Sequence, residues 1–472
     1  MPGHRHLVES HGNRLIEDVT DVLILGGGIS GLASAYFLSR RGIASTIVEK
    51  QPRLGGLIRT DVIEGCELEA GPDSYIAAKP AVTELAEQIP GLSGEIIAAN
   101  EQSRRIFLVK DGALLPMPTG MAMMVPGDMR AALTSPLFSE STKRRFLRER
   151  HQKPRQRTAD VSIAEFVRDH FDDSVLETVV EPLLTGVYGG DPQSLSAASV
   201  LPRFLEYERR YGSLIRAVRV ERKQQTSQGG LFLSFRHGMQ TLTDALQRAA
   251  SGALTVAPGE ATAMHRDAHG WRVRINNDWR TYSRVIVALP APVAAQVLET
   301  ADAELASELA RIPYSSAITV VVGFRKETIN HPLDGFGYLV PRPERRQLAA
   351  CTWINTKFPG RIADGYVALR GFIVGKDAED LMTESDGRIL SVVKRELARL
   401  MGIDARPAFH TLHRWPASMP LYVVGHNARR NRIRELAAAH PGLALVGNAY
   451  DGVGIPDCVR LARVATESVL TS

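Results

Sequence analysis

Cysteine is scarce in this chain. There are three in 472 residues, Cys66, Cys351 and Cys458, far apart and at no metal-ligand spacing. That argues against a disulfide framework and a zinc knuckle and suits a reducing compartment, so the cytoplasm is the default location. Long apolar runs are missing too. No uninterrupted stretch of about 18 apolar residues occurs, so no spanning helix is expected. The opening MPGHRHLVESHGNRLIEDVT holds no apolar h-region. It reads as a polar extension rather than a secretory signal, with residues 1–17 as a disordered head. No internal repeat is visible, which sets solenoids and propellers aside.

What is present is ordinary globular material, 44% hydrophobic and 23% charged, in a chain long enough for roughly three domains. The net charge of +5 is concentrated in KRRFLRERHQKPRQR, Lys143 to Arg157. A solvated face, or attraction to an anionic membrane surface, accounts for it better than nucleic-acid binding, because interleaved aromatics and a recognition motif are absent.

The most informative stretch is DVLILGGGISGLASAYFLSRRGIASTIVEK, residues 21–50. Residues 21–26 read as a short buried strand, 29–41 as a helix and 44–49 as a second strand, a βαβ unit. Gly26, Gly28 and Gly31 form G-x-G-x-x-G at the first junction. The first glycine allows the turn, the second lets backbone approach a pyrophosphate, and the third lets helix pack on strand. The pyrophosphate then meets the free N–H groups of the helix start, around Gly27, Ile29 and Ser30. Glu49 lies 23 positions after Gly26, near the spacing of about 20 for an acid that grips an adenosine ribose. A second G-x-G-x-x-G is absent, which disfavours an additional nicotinamide cofactor. Downstream, residues 85–220 read as largely helical, 254–290 as strands, and 315–375 as an antiparallel sheet. The last residues are a strand, a glycine-rich turn and a helix. The fold class expected is α/β (α+β overall), with a discontinuous Rossmann-like domain.

After Glu49, EKQPRLGGLIRT carries Arg53 and the pair Gly55-Gly56. This continuation, with VGNAYDGVG near the end, resembles the flavoprotein superfamily of amine oxidases, phytoene desaturases and protoporphyrinogen oxidases. Further blocks narrow it: ELEAGPDSYIAAKP (67–80), VVEPLLTGVYGGDPQSLSAASVLPRF (179–204), FLSFRHGMQTL (232–242), DGFGYLVP (334–341), CTWINTKFPGR (351–361), RWPASMPLYVVGH (414–426) and GNAYDGVGIPDC (447–458). Together they resemble the oxygen-dependent protoporphyrinogen IX and coproporphyrinogen III oxidases from residue 21 to the end. The I-P-D-C ending and the E-P-L-L-T-G-V-Y block stand against an amine oxidase or carotenoid desaturase. A non-enzymatic flavin-binding protein is the other class of reading.

The resemblance implies noncovalent FAD and a six-electron oxidation of a porphyrinogen in heme biosynthesis, with hydride passing to flavin N5, O2 as acceptor and H2O2 as product. No acid–base triad and no metal are then expected. It implies an FAD domain at 18–85, 225–300 and 425–472, a substrate domain at 86–115 and 301–424, and a helical domain at 116–224 with peripheral membrane contact. For the cofactor it implies Gly26 to Gly31 at the pyrophosphate and Glu49 at the ribose. Arg53, Gly56 and Leu57 fall in the glycine-pair loop, and Gly71, Pro72, Asp73 and Ser74 in the turn near the flavin. Ala261 takes a position where the family usually has valine and meets the adenine through backbone. Trp415 lies beside the cofactor, and Asn448, Val453, Gly454 and Ile455 form the closing turn. For the propionates of the tetrapyrrole the candidates are Lys79 and Arg105, although the aligned arginine position of plant and animal relatives is Ile106 here. Gly186, Phe336, Leu339 and Phe372 are candidates for approach to the macrocycle, each also readable as a turn or core residue. The remaining partners implied are O2 and other heme-pathway enzymes.

Overall fold

Val22–Leu25 is buried at every position, as a strand covered on both faces of a parallel sheet must be. The computed structural model describes residues 22–224 and 230–471. The expected disordered head lies outside the described residues. Strand Val22–Leu25 sits at the centre of a five-stranded sheet, in the order 254–258, 45–49, 22–25, 284–287, 443–445, and every pairing is parallel. Its strands come from four separated parts of the chain, so this Rossmann-like unit is discontinuous. Helices Ile29–Ser39 and Ile455–Thr471 lie side by side on one face. They bury Val22, Ile24, Ile47 and Ile286. Leu23, Leu25, Val285 and Val287 face the other way, onto a core shared with the three-stranded meander 261–282 and helices 291–298 and 303–310.

The second large unit is a seven-stranded sheet in the order 409–420, 314–325, 366–374, 350–353, 337–339, 106–110, 113–116. It is mixed rather than wholly antiparallel, because Gly337–Leu339 pairs in parallel with Ile106–Lys110. No hairpin joins those two strands, so no tight turn dictates their relative direction. One face carries Ile318, Val320, Val322, Leu369 and Ile373, sealed by Ile389, Val393 and Leu397 of helix Asp386–Met401. The opposite face looks toward the Rossmann-like unit.

A third unit is a helical module whose core runs from Phe138 and Phe146 through Phe166 and Val180 to Val218. The apolar stretch 113–126 packs onto this module: Met124 and Val125 are fully buried, and Met117, Met121 and Met123 partly so. The basic run is mostly exposed, but Arg145 and Arg157 turn inward. Arg145 donates to the carbonyls of Arg168, Asp169 and Phe171 at the end of helix Ile163–His170, a favourable place for a cation. Arg157 joins Asp169 and Glu208. His170 is buried between Glu149 at 3.0 Å and Glu208 at 3.3 Å.

Candidate functional site

The first glycine turn is held by its own backbone. Gly26 has φ +98°, and a Cβ there would lie 2.7 Å from the Ala288 carbonyl oxygen; one on Gly31 would lie 2.0 Å from that of Gly26. The following helix begins at Gly28 with no capping side chain and no acid in its first turn. A helix start so bare, in a cradle that any Cβ would fill, fits a pyrophosphate. Glu49 accepts from the Gly27 N–H at 2.7 Å and from the Gln51 N–H at 2.8 Å, which fixes the acid at the end of its strand. The glycine-pair loop lies against the turn, with a Gly56 Cβ position 3.1 Å from Gly28 Cα. Arg53 braces this loop from within by donating to the Leu54 and Ile58 carbonyls at 2.9 Å, and Leu57 is exposed at its tip. Ala261, buried, opens the meander next to this end of the site, where Gly259 N–H donates to the Glu49 carbonyl.

The turn Gly71, Pro72, Asp73, Ser74 joins the two sheets. A Cβ on Gly71 would lie 1.8 Å from the Leu57 carbonyl oxygen. From the second sheet, Thr319 Oγ1 donates to the Ala70 carbonyl at 2.7 Å and Trp415 Nε1 to the same oxygen at 3.0 Å. Arg370 donates to the Gly71 carbonyl. Asp73 takes both oxygens to Lys357, at 2.9 and 2.8 Å, and accepts from Ser74 at 2.7 Å. Burial alone would raise the Asp73 carboxyl, but Lys357 and Arg370 outweigh it and hold the group well below the usual carboxylate range. Behind the turn Arg361 meets Glu69 at 3.0 Å. Burial there pushes the Glu69 carboxyl up to about 7, against the pull of Arg361.

Thr319, Phe372, Ala350, Leu339, Thr352 and Arg370 share one face of the second sheet by register. Leu339, Thr352, Phe372 and Trp415 on this face are only half-buried, where a face packed on a core would be sealed. The opposite face is sealed. The asymmetry leaves part of the inner face open beside Trp415. Helix Glu181–Tyr188 stands at its edge, packed against strands 337–339 and 366–374. Gly186 lies within that helix rather than in a turn, exposed, and a Cβ on it would meet open space. Phe336 does not join this face. It is buried with Ala99 and Phe358 in a separate small cluster. Neither cationic candidate stands free: Lys79 is 2.6 Å from Asp457 and Arg105 is 2.6 Å from Asp334.

The closing turn runs from Asn448 to Ile455. The Asn448 carbonyl accepts from Tyr422 Oη at 2.7 Å, and Val453, Gly454 and Ile455 lead into helix Ile455–Thr471. Asp457 lies in the first turn of that helix, paired with Lys79. Sequence reasoning missed Lys357, Arg370 and Tyr422. A lone arginine inside the apolar strand YVALRGFIV was the one available signal, since a charge in such a setting has a partner or a function.

Comparison with known proteins completes the description. The family model of the flavin containing amine oxidoreductases matches residues 29–470. Coproporphyrinogen III oxidase of Bacillus subtilis is 31% identical over 464 residues, 95% of this chain and 98% of that protein. The Staphylococcus aureus protein of the same name is 32% identical over 466 residues, again 95% and 98%. A solved structure from Exiguobacterium sp. 255-15, assigned to the protoporphyrinogen oxidases, superposes with a TM-score of 0.85 at 31% identity, covering 96% of this chain and 99% of that one.

Proposed function

The chain belongs to the flavin-containing amine oxidoreductases, and on that premise we propose that it is an FAD-dependent porphyrinogen oxidase of heme biosynthesis whose substrate is coproporphyrinogen III. Its B. subtilis and S. aureus relatives carry that name across nearly their whole length. The observation that carries the reading is the half-open inner face of Leu339, Thr352, Phe372 and Trp415, set against the turn Gly71–Ser74. A flat, apolar macrocycle needs such a floor beside a redox cofactor.

When bound, FAD supplies the two-electron acceptor, which O2 reoxidises to give H2O2 over three cycles. The residues of the chain bind and orient. Gly26 to Gly31 and Glu49 hold the dinucleotide. Asp73, kept ionised by Lys357 and Arg370, fixes the turn that meets the flavin. The half-buried floor orients the macrocycle and excludes water from its reacting bridge. Lys79 and Arg105 meet propionates by exchanging their present carboxylate partners for those of the substrate.

Peripheral contact with an anionic membrane is part of the proposal. The apolar stretch 113–126 is engaged in the helical core, so the contact would fall to helix Glu140–Glu149, which exposes Arg144, Leu147 and Arg148. Salt-reversible cosedimentation with anionic but not neutral vesicles is expected. The function itself is tested by aerobic turnover of the purified yellow protein on coproporphyrinogen III and protoporphyrinogen IX side by side, following porphyrin fluorescence against an enzyme-free control. Faster porphyrin formation from coproporphyrinogen III is expected. No acceleration with either substrate, with FAD bound, would remove the reading.

A further inference from the structure

The closing turn Asn448–Gly452 is held by side chains from one remote segment. Tyr422 Oη donates to the Asn448 carbonyl at 2.7 Å and accepts from the Gly452 N–H at 2.9 Å, so a single hydroxyl joins the two ends of the turn. The His426 ring lies flat on that of Tyr422, with centroids 3.9 Å apart and planes 12° apart. His426 Nε2 donates to the Tyr450 carbonyl at 3.2 Å. Arg430, one helical turn on, meets the Asp451 carboxylate at 2.6 Å. Residues 448, 450, 451 and 452 are thereby gripped in succession.

The grip comes at a cost. His426 is 1% exposed, and its Nδ1 is buried without a partner. A buried polar atom left unsatisfied needs an explanation, and here the ring is placed for its stack and its Nε2 donation rather than for full hydrogen bonding. The gripping segment is itself anchored in the helical module. Tyr422 C=O accepts from the Ser196 N–H at 2.7 Å, and the Gly425 N–H donates to Asp160 at 2.9 Å.

We propose that Tyr422 and His426 are positioning residues for the flavin reaction: they set the depth of the turn Asn448–Gly452 and of the helix start behind it, and so the placement of the bound flavin. The turn has no slack of its own to do this. A Cβ on Gly452 would lie 2.4 Å from the Asp457 carboxyl group, so the turn is pressed onto the helix start and its position follows whatever grips it.

The inference rests on the proposed function, with the flavin lying beneath this turn as the family resemblance implies. The test uses the FAD-loaded enzyme and Tyr422→Phe, which keeps the ring stack and removes both hydrogen bonds. Three quantities are read: the flavin absorbance spectrum, the rate of FAD release by flavin fluorescence, and kcat against KM. The expected result is a shifted spectrum, FAD release faster by about ten-fold, and kcat lower by a similar factor with KM little changed, the loss of a doubly used buried hydroxyl. His426→Gln, which can still present an N–H to the Tyr450 carbonyl, is expected to retain more of each property than His426→Ala. If Tyr422→Phe does not fold, the His426 pair carries the same test. A Tyr422→Phe enzyme with unchanged spectrum, release and kcat would overturn the inference while the wild-type turnover upholds the function. A wild type that binds no FAD would overturn both.

Discussion

Two turns of this molecule have the same plan, a parallel strand, a glycine-rich corner and a helix, and they are built in opposite ways. The first, Gly26–Gly31, is shaped by close backbone contacts, with the Glu49 carboxylate accepting from its Gly27 N–H. Gly31 touches the Gly26 carbonyl, and the helix start is left bare of side-chain caps. The last, Asn448–Ile455, is shaped from outside, by Tyr422, His426 and Arg430 on one side and by Lys79, through Asp457, on the other. Under the proposed function the difference follows from what each one faces. A pyrophosphate is recognised by N–H groups and a helix end, and any side chain there would be in the way. A flavin ring must be held at a fixed depth relative to a substrate lying on another unit of the protein. A clamp that reaches across units can transmit that geometry, and a local corner cannot.

The largest effect expected is at the first turn. Gly31→Ala would set a Cβ 2.0 Å from the Gly26 carbonyl oxygen, which the helix cannot accommodate without moving off its strand. Loss of bound FAD and destabilisation of about 3 kcal/mol or more are expected, read by flavin absorbance of the purified protein and by urea unfolding. A soluble, yellow Gly31→Ala protein would show that this corner has slack, and the contrast with the clamped turn would go. Second is Glu49→Gln. It keeps the shape but gives up the charge that accepts from Gly27 N–H. FAD affinity should fall by about 10- to 100-fold, in line with a charge-assisted hydrogen bond, with the closing turn and its spectral signature untouched. Titration of the apoprotein with FAD checks it.

This contrast also explains what was legible in the sequence. The first turn could be read residue by residue because its strand, glycines, helix and acid fall within one continuous stretch, residues 21–50, and each glycine has a local reason. The same holds for the turn Gly71–Ser74 as a motif. Its anchors were out of reach: Lys357 is 284 positions from Asp73, and Arg370 is 299 from Gly71. Such pairings leave no periodicity, and only the lone charge of Arg370 in an apolar strand signalled one of them. The strands of the second sheet were legible as short apolar runs such as AITVVVGF and YVALRGFIVG. The parallel pairing of 106–110 with 337–339 was not, because no hairpin fixes it. Phe336 and Leu339 looked alike as apolar residues of one block. Side chains three positions apart point to opposite faces of a strand, and Phe336, just before Gly337–Leu339 begins, turns into its own cluster while Leu339 reaches the inner face.

A third prediction separates the two turns by pH. The first contains no histidine, whereas the clamp depends on a neutral one. Burial pulls His426 down to about 4, helped by Arg430 and Arg429 and opposed by the Tyr450 carbonyl and Asp160. In the unfolded chain the group titrates near 6.5. Between those values the unfolded state binds the extra proton, so stability present above about pH 6.5 is lost as the pH falls toward 4, by roughly 3 kcal/mol for this group. Denaturant unfolding of wild type minus His426→Gln across that window isolates it. Equal slopes for the two proteins would mean that the clamp histidine is not held neutral.

The smallest effect is expected at Cys458, the one thiol of helix Ile455–Thr471. It is 4% exposed, and burial pushes its thiol up to about 11, against the Ser30 side chain. A thiol that stays protonated in an apolar setting is a poor nucleophile, so it should not form a bond to the flavin. Cys458→Ala should cost about 1 kcal/mol for the small volume removed. FAD should be released from variant and wild type alike on acid precipitation, with the cofactor free in the supernatant. Flavin that stays with the wild-type pellet and leaves the variant's would show a covalent tether, and the closing turn would then hold its cofactor by chemistry rather than by the clamp of Tyr422 and His426.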